Sequence, residues 1–346
     1  MKPAHAYLKV AFAFTAVGLV LAMWLGWATE GTIGGVFSFL FTATVLAALE
    51  IALSFDNAIV NANKLKDMTP AWQKRFLTWG ILIAVFGMRI VFPLLVVVIA
   101  AGIGPISALY LAATDPDRYS EIIGGAHISI SAFGGTFLMM VALTYFIDEG
   151  KQVHWIHALE SRLSQFASIR GFEIAVVLAI AMAFAVFLPP AQSAEFLFAA
   201  MAGLLTFLCV EILGHVLDTS RDAARLARQG GLGAFLYLEM LDASFSFDGV
   251  IGAFALTRNL FLIAIGLGIG AMYVRSVTIM LVELGTLSKL RYLEHGAFYS
   301  ILVLALVMYA QSFMHIPEAI TGLIGVVLIG LSLQSSLKHN RRYATQ

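Results

Sequence analysis

Two short acidic segments hold the residues of this chain best suited to chemistry. Leu49-Glu50-Ile51-Ala52-Leu53-Ser54-Phe55-Asp56-Asn57 sets two carboxylates in an apolar run, and Asp242-Ala243-Ser244-Phe245-Ser246-Phe247-Asp248-Gly249 repeats the pattern. A constant offset of 192 residues places Asp56 on Asp248, Glu50 on Asp242, Ser54 on Ser246 and Phe55 on Phe247. The donors are carboxylate, hydroxyl and amide oxygens, a set that suits hard cations such as Ca²⁺, Mg²⁺ and Mn²⁺, whereas the lack of Cys and His in the boxes argues against Cu or Zn. Up to four carboxylates also supply charge to neutralise a divalent ion, or to take protons when it leaves.

Spacing dictates how such boxes must be built. Glu50 and Ser54 lie four residues apart, as do Asp242 and Ser246, so each acid shares a helix face with a hydroxyl. Asp56 follows Glu50 by six residues, roughly 240° around an ideal helix, and points elsewhere. Convergence on one ion therefore requires the helix to unwind near Ser54 to Asn57, and likewise near Ser246 to Gly249. Irregular backbone at membrane depth is tolerated only where protein buries it or it lines a cavity. Arg89 follows Gly80 by nine residues and Arg275 follows Gly266 by the same nine. A guanidinium beside a metal repels it, so these two arginines stand outside the ligand set and serve either to pair with the box acids or in gating and proton coupling. Glu239, three residues before Asp242, is either a solvated acid or an accessory ligand near the cytoplasmic entrance.

The elements that carry the boxes are set by composition. With 60% hydrophobic residues, 12% charged residues and a mean hydropathy of +0.89, the chain reads as an all-α polytopic membrane protein. A carboxylate at a helix centre in the bilayer costs roughly 2.5–3.5 kcal/mol, so four cost about 10–14 kcal/mol unless a cation or proton compensates. Ten spanning segments are predicted, near 10–28, 34–62, 77–101, 123–147, 172–189, 194–217, 234–256, 260–287, 297–314 and 317–336. The first is kept as a helix because its apolar run ends in Trp24-Leu25-Gly26-Trp27 without a small-residue cleavage site.

With the N-terminus inside, 17 of the 21 Lys and Arg fall in cytoplasmic connections and only Arg118 and Arg258 outside, leaving Arg89 and Arg275 within spans. The asymmetry places both termini in the cytoplasm. The two box helices then run antiparallel, which suggests inverted repeats with a site near the midplane. The predicted organisation is an N-terminal helix (1–33), a first repeat (34–147), a connecting region (148–233), a second repeat (234–315) and a final helix with a basic tail (316–346). A single Cys209 excludes an internal disulfide framework, near-zero net charge offers nothing to nucleic acid, and no phosphate-binding loop or organic-cofactor motif is present.

The paired boxes, with "LSFDN" at 53–57, "FSFDG" at 245–249 and Arg89, resemble those of the TerC-type integral membrane proteins. The longer run from Tyr237 to Val250 resembles a TerC-like branch long carried as a domain of unknown function. That resemblance implies cation export, associated with tellurium resistance and manganese efflux, with Glu50, Asp56, Asn57, Asp242 and Asp248 as ligands; Ser54, Ser246, Glu239, Arg89 and Arg275 are the accessory candidates beside them. Gly249 stands where many members carry Ser. The expectation is a secondary transporter of the inner cell membrane that exports Mn²⁺, or Ca²⁺, in exchange for protons and is not an enzyme. The alternatives are a Ca²⁺/cation antiporter and a non-transporting part of a metal-stress complex. An intramembrane aspartyl protease pairs Tyr-Asp with Gly-x-Gly-Asp, whereas both aspartates here follow Ser-Phe.

Overall fold

The structure, a computed structural model, describes residues 4–80, 83–148, 151, 153–219, 231–314 and 316–343. Of the basic residues that orient the sequence, Lys2, Arg221, Arg225 and Arg228 lie outside them. Among the described residues there is helix and no strand. The chain runs α1 (Ala4–Glu30), α2 (Ile33–Leu53), α3 (Phe55–Leu65), α4 (Pro70–Arg75), then two π-helical segments, π1 (Phe76–Gly80) and π2 (Ile83–Val91). Next come α5 (Phe92–Ala101), α6 (Pro105–Thr114), α7 (Pro116–Gly125), α8 (His127–Phe146), α9 (His157–Ser164), α10 (Phe172–Ala185) and α11 (Pro190–Thr219). After residue 230 follow α12 (Leu232–Leu256), α13 (Leu260–Glu283), α14 (Thr286–Lys289), α15 (Leu293–Gln311) and α16 (Glu318–Tyr343).

All ten predicted segments fall on helix, but the count of spanning helices is smaller. Seven described helices are long and apolar enough to cross a bilayer (α1, α2, α8, α11, α13, α15 and α16), and an eighth follows if a bent pair counts as one span. The protein is therefore an all-α, multi-pass membrane protein. The shortfall has three physical causes. Segment 172–189 yields only the 14 residues of α10, about 21 Å of helix against the roughly 30 Å of the hydrocarbon core. Segment 234–256 is the 25-residue α12, long enough but carrying Glu239, Asp242 and Asp248. Segment 77–101 is not a regular helix: Pro93 removes an N–H and crowds the carbonyl of Arg89, and the chain upstream of it is π-helical. Beyond α5 the chain bends by 105° into α6 at Gly102, whose φ of +64° suits glycine.

Packing grades the helices from centre to rim. In α8, 72% of the most apolar stretch is buried against α11, α15 and α12, whereas in α1 only 17% is, so α1 stands at the rim with most of its surface exposed. The largest buried cluster joins Phe137, Met140 and Phe146 of α8 to Phe196 and Phe207 of α11 and to Ile301 and Tyr309 of α15. Against this block stand α2, α3, α12 and α13, the elements that carry the boxes and Arg275. Gly266 and Gly270 of α13 lie one turn apart and face α2, where an added Cβ would meet Leu46 at 2.5 Å and Glu50 at 2.4 Å. Small residues at this spacing let two membrane helices approach closely. That approach sets the depth of Glu50.

Candidate functional site

The first box breaks its helix where spacing predicts. α2 ends at Leu53, Ser54 leaves helical geometry at φ −101° and ψ 15°, and α3 starts at Phe55. The predicted break in the second box does not occur: α12 runs unbroken through Ser246 to Gly249. The symmetry of sequence thus becomes an asymmetry of backbone, one broken helix against one continuous helix. The two do run antiparallel, because partners rise along α12 as they fall along α2 and α3. Lys64 Nζ lies 5.4 Å from the Tyr237 ring centroid, Asn61 bonds to Asp242, and Glu50 Oε2 lies 3.2 Å from where a Cβ of Gly249 would sit.

Between them is a cavity of about 40 Å³ lined by Glu50, Ser54, Asn57, Asn61, Arg89, Asp242, Ser246 and Arg275, among others. That volume exceeds what one water molecule needs. Glu50 Oε1 accepts from Ser54 Oγ at 3.0 Å and forms a buried ion pair with Arg89 of π2. The shared face of Glu50 and Ser54 is therefore real, and Arg89 takes the pairing role anticipated for it. Asp242 Oδ1 accepts from Asn61 Nδ2 at 2.8 Å, and Asn57 lines the same cavity. Ser246 Oγ makes no bond back to Asp242, so the second box lacks the acid–hydroxyl link of the first. Unlike Arg89, Arg275 pairs with no box acid among the described residues. Its Nε and Nη2 donate to the Leu77 carbonyl of π1 at 3.0 and 2.7 Å.

Asp56 is elsewhere. Its Oδ1 accepts the Asn57 N–H and its Oδ2 the Ser300 hydroxyl of α15, both at 2.8 Å. There it sits in the first turn of α3, where the helix dipole favours an anion. It lines a second cavity of about 20 Å³ with Glu50, Ser54, Gly249, Ser300 and Thr321. The expected convergence of Glu50, Asp56 and Asp242 on one point is therefore corrected: Glu50 and Asp242 share the first cavity, and Asp56 faces the second. One residue is 100° of helix, so the register that aims Asn57 and Asn61 at α12 turns Asp56 toward α15. Asp248 lies on α12 by its backbone, and its side chain is outside the described residues. Among the described residues no three His, Cys, Asp or Glu gather closely enough to hold a metal.

The remaining capacity of the first cavity is in neutral oxygens. Asn57 Oδ1, Asn61 Oδ1 and Ser246 Oγ are buried without a hydrogen-bond partner. Buried polar atoms are almost always satisfied, so three acceptor-capable oxygens on one cavity wall call for an explanation. Glu239 is buried as well, at 7% exposure, but does not line the cavity. The acidic boxes do not include Asn61, Ser300 or Thr321. Asn61 was findable, since it repeats Asn57 one turn later, while Ser300 and Thr321 come from segments with no acidic box.

A chain of this kind is a multi-pass helical membrane protein with a buried polar cavity between a broken and an unbroken helix. It belongs to the family described as "Protein of unknown function (DUF475)", which it matches over residues 55–343. The match takes in Asp56, Asn57 and the whole second box, and begins just after Ser54. No curated protein and no solved structure shows detectable similarity to it.

Proposed function

We propose that this protein is a secondary transporter that carries a divalent cation, Mn²⁺ first and Ca²⁺ second, across the membrane in exchange for protons. The observation that carries the reading is the first cavity: Asp242 and Glu50 with three unpartnered oxygens from Asn57, Asn61 and Ser246, at the point where α2 breaks into α3. Hard cations take such carboxylate, amide and hydroxyl oxygens, and transporters place them at interrupted helices near the midplane. Two guanidiniums line the same cavity. For a cation to engage Glu50, Arg89 has to release it, so cation binding is linked to movement of π2. Asp56 and Asp248 belong to the path, Asp56 through its own cavity. The two boxes and their arginines form inverted repeats, the TerC likeness supports export from the cytoplasm, and both termini face it at the inner membrane.

The test is flux in liposomes that enclose a metal-sensitive dye. Saturable Mn²⁺ flux driven by a proton gradient is expected, with loss in Asp242→Asn and in Asp56→Asn while both variants stay folded. Running Ca²⁺ in parallel assigns selectivity. No flux of any divalent ion under the gradient refutes the proposal.

A further inference from the structure

One carboxylate has no role in the cation cavity and no partner. Glu239 is 7% exposed, and both of its oxygens lack a hydrogen bond. No Lys, Arg or His among the described residues forms an ion pair with it, and Asp242 of its own helix is the charged group that acts on it. Arg275 of α13 is engaged at Leu77, and Asn61 of α3 at Asp242. Lys64 of α3 lies over the Tyr237 ring. A buried acid in this position keeps its charge only against a heavy desolvation cost, and the ordinary outcome is that it holds a proton.

The surroundings are shaped to keep it there. An added Cβ on Gly80 would lie 2.5 Å from Glu239 Oε1, so the carboxyl occupies room that any other residue at 80 would fill. Gly80 is also part of the cavity wall, ends π1, and belongs to the segment that Arg275 grips through Leu77. Leu65, Met68, Phe76 and Leu238 pack in an apolar cluster, of which Phe76 also lines the cavity. Glu239 thus follows Leu238 of that cluster and precedes Asp242 by three residues on one helix face.

We propose that Glu239 is the proton-exchanging carboxyl of the path, separate from the oxygens that hold the cation. This rests on the transport reading above. In one direction the carboxyl gives its proton to water as positive charge enters the Asp242 cavity, and in the other it takes a proton from water as the cation leaves. One proton and one carboxylate charge are exchanged, and no other bond changes. π1, held by Arg275, sets whether water reaches the carboxyl.

Two measurements judge it, both on the full chain. In liposomes, Glu239→Gln is expected to lower proton-driven Mn²⁺ accumulation by about tenfold or more, the scale of a lost proton-transfer group, while Mn²⁺/Mn²⁺ exchange without a gradient persists. Gly80→Ala, which crowds the same carboxyl, reproduces the defect. Equal loss of accumulation and exchange in Glu239→Gln makes Glu239 a cation ligand and overturns the proposal, as does unchanged accumulation. The second measurement needs no transport. Infrared difference spectra of the wild-type protein at neutral pH are expected to show a protonated carboxyl band that is missing in Glu239→Gln, and its absence from the wild type overturns the assignment. Failure of wild-type flux with the band present refutes the transport reading and the coupling role with it, but leaves the proton on Glu239 established.

Discussion

Glu50 and Arg89 form the pair on which the first cavity most depends, and a double-mutant cycle measures that dependence. The two residues are 3% and 5% exposed, so neither charge is relieved by water. At a contact distance of roughly 3 Å and an effective dielectric near 20, their attraction is about 5–6 kcal/mol. Desolvation consumes most of it, so the intact pair adds little net stability, but breaking it strands one buried charge at a cost of about 3–5 kcal/mol. Glu50→Gln and Arg89→Gln are each expected to destabilise by that amount. The double variant leaves two neutral groups and is expected to cost less than either single one. The assay is reversible unfolding of the purified protein in mixed micelles, with helicity as the signal. If the two single costs add to within about 0.5 kcal/mol in the double variant, the two charges do not interact and the account of the cavity fails.

Gly270→Ala puts a methyl 2.4 Å from Cβ and Cγ of Glu50, stem atoms that cannot swing away, so α2 and α13 must part. A loss of about 1–3 kcal/mol is expected, seen as a lower thermal midpoint, whereas Gly124→Ala, with nothing within 4 Å, is expected to be neutral or mildly stabilising. Beyond the cavity, fully buried Glu160 accepts the N–H groups of Trp155 and Ile156 and faces Lys151 Nζ at 3.0 Å. Burial alone pushes its carboxyl up, but the Ile156 N–H, Lys151 and His295 outweigh that and hold it below the usual carboxylate range. Such a group adds stability that is present above the unfolded value, near 4.3, and is lost as pH falls through the lower folded value. The stability gap between wild type and Glu160→Gln is therefore expected to be full at pH 7 and to close in acid, and a gap that is flat with pH refutes the pairing.

The features legible in the sequence are those governed by local rules. Apolar run length located the long helices, but α4, α6 and α9 lie outside every predicted segment. The four-residue spacing foretold the Glu50–Ser54 bond, which follows from 100° per residue, whereas the unwinding expected over 54–57 is confined to Ser54, with α3 helical from Phe55. Charge asymmetry implied antiparallel box helices, and the pairings 61 with 242 and 50 with 249 agree. The failures arise where two segments compete for one group. From the sequence, Arg275 and Arg89 occupy equivalent places after their boxes, yet Arg89 finds a carboxylate and Arg275 a backbone carbonyl. π1 brings the Leu77 carbonyl within reach, and nothing in residues 76–80 announces a π-helix. In the same way the matched spacing Asp242–Ser246 predicts a second break, but α12 runs unbroken and Asp242 takes its hydrogen bond from Asn61 across the interface. The two boxes share Ser, Phe and Asp at one spacing but are unequal in structure: the broken helix brings the Asn61 amide, and the unbroken one supplies the carboxylate it holds.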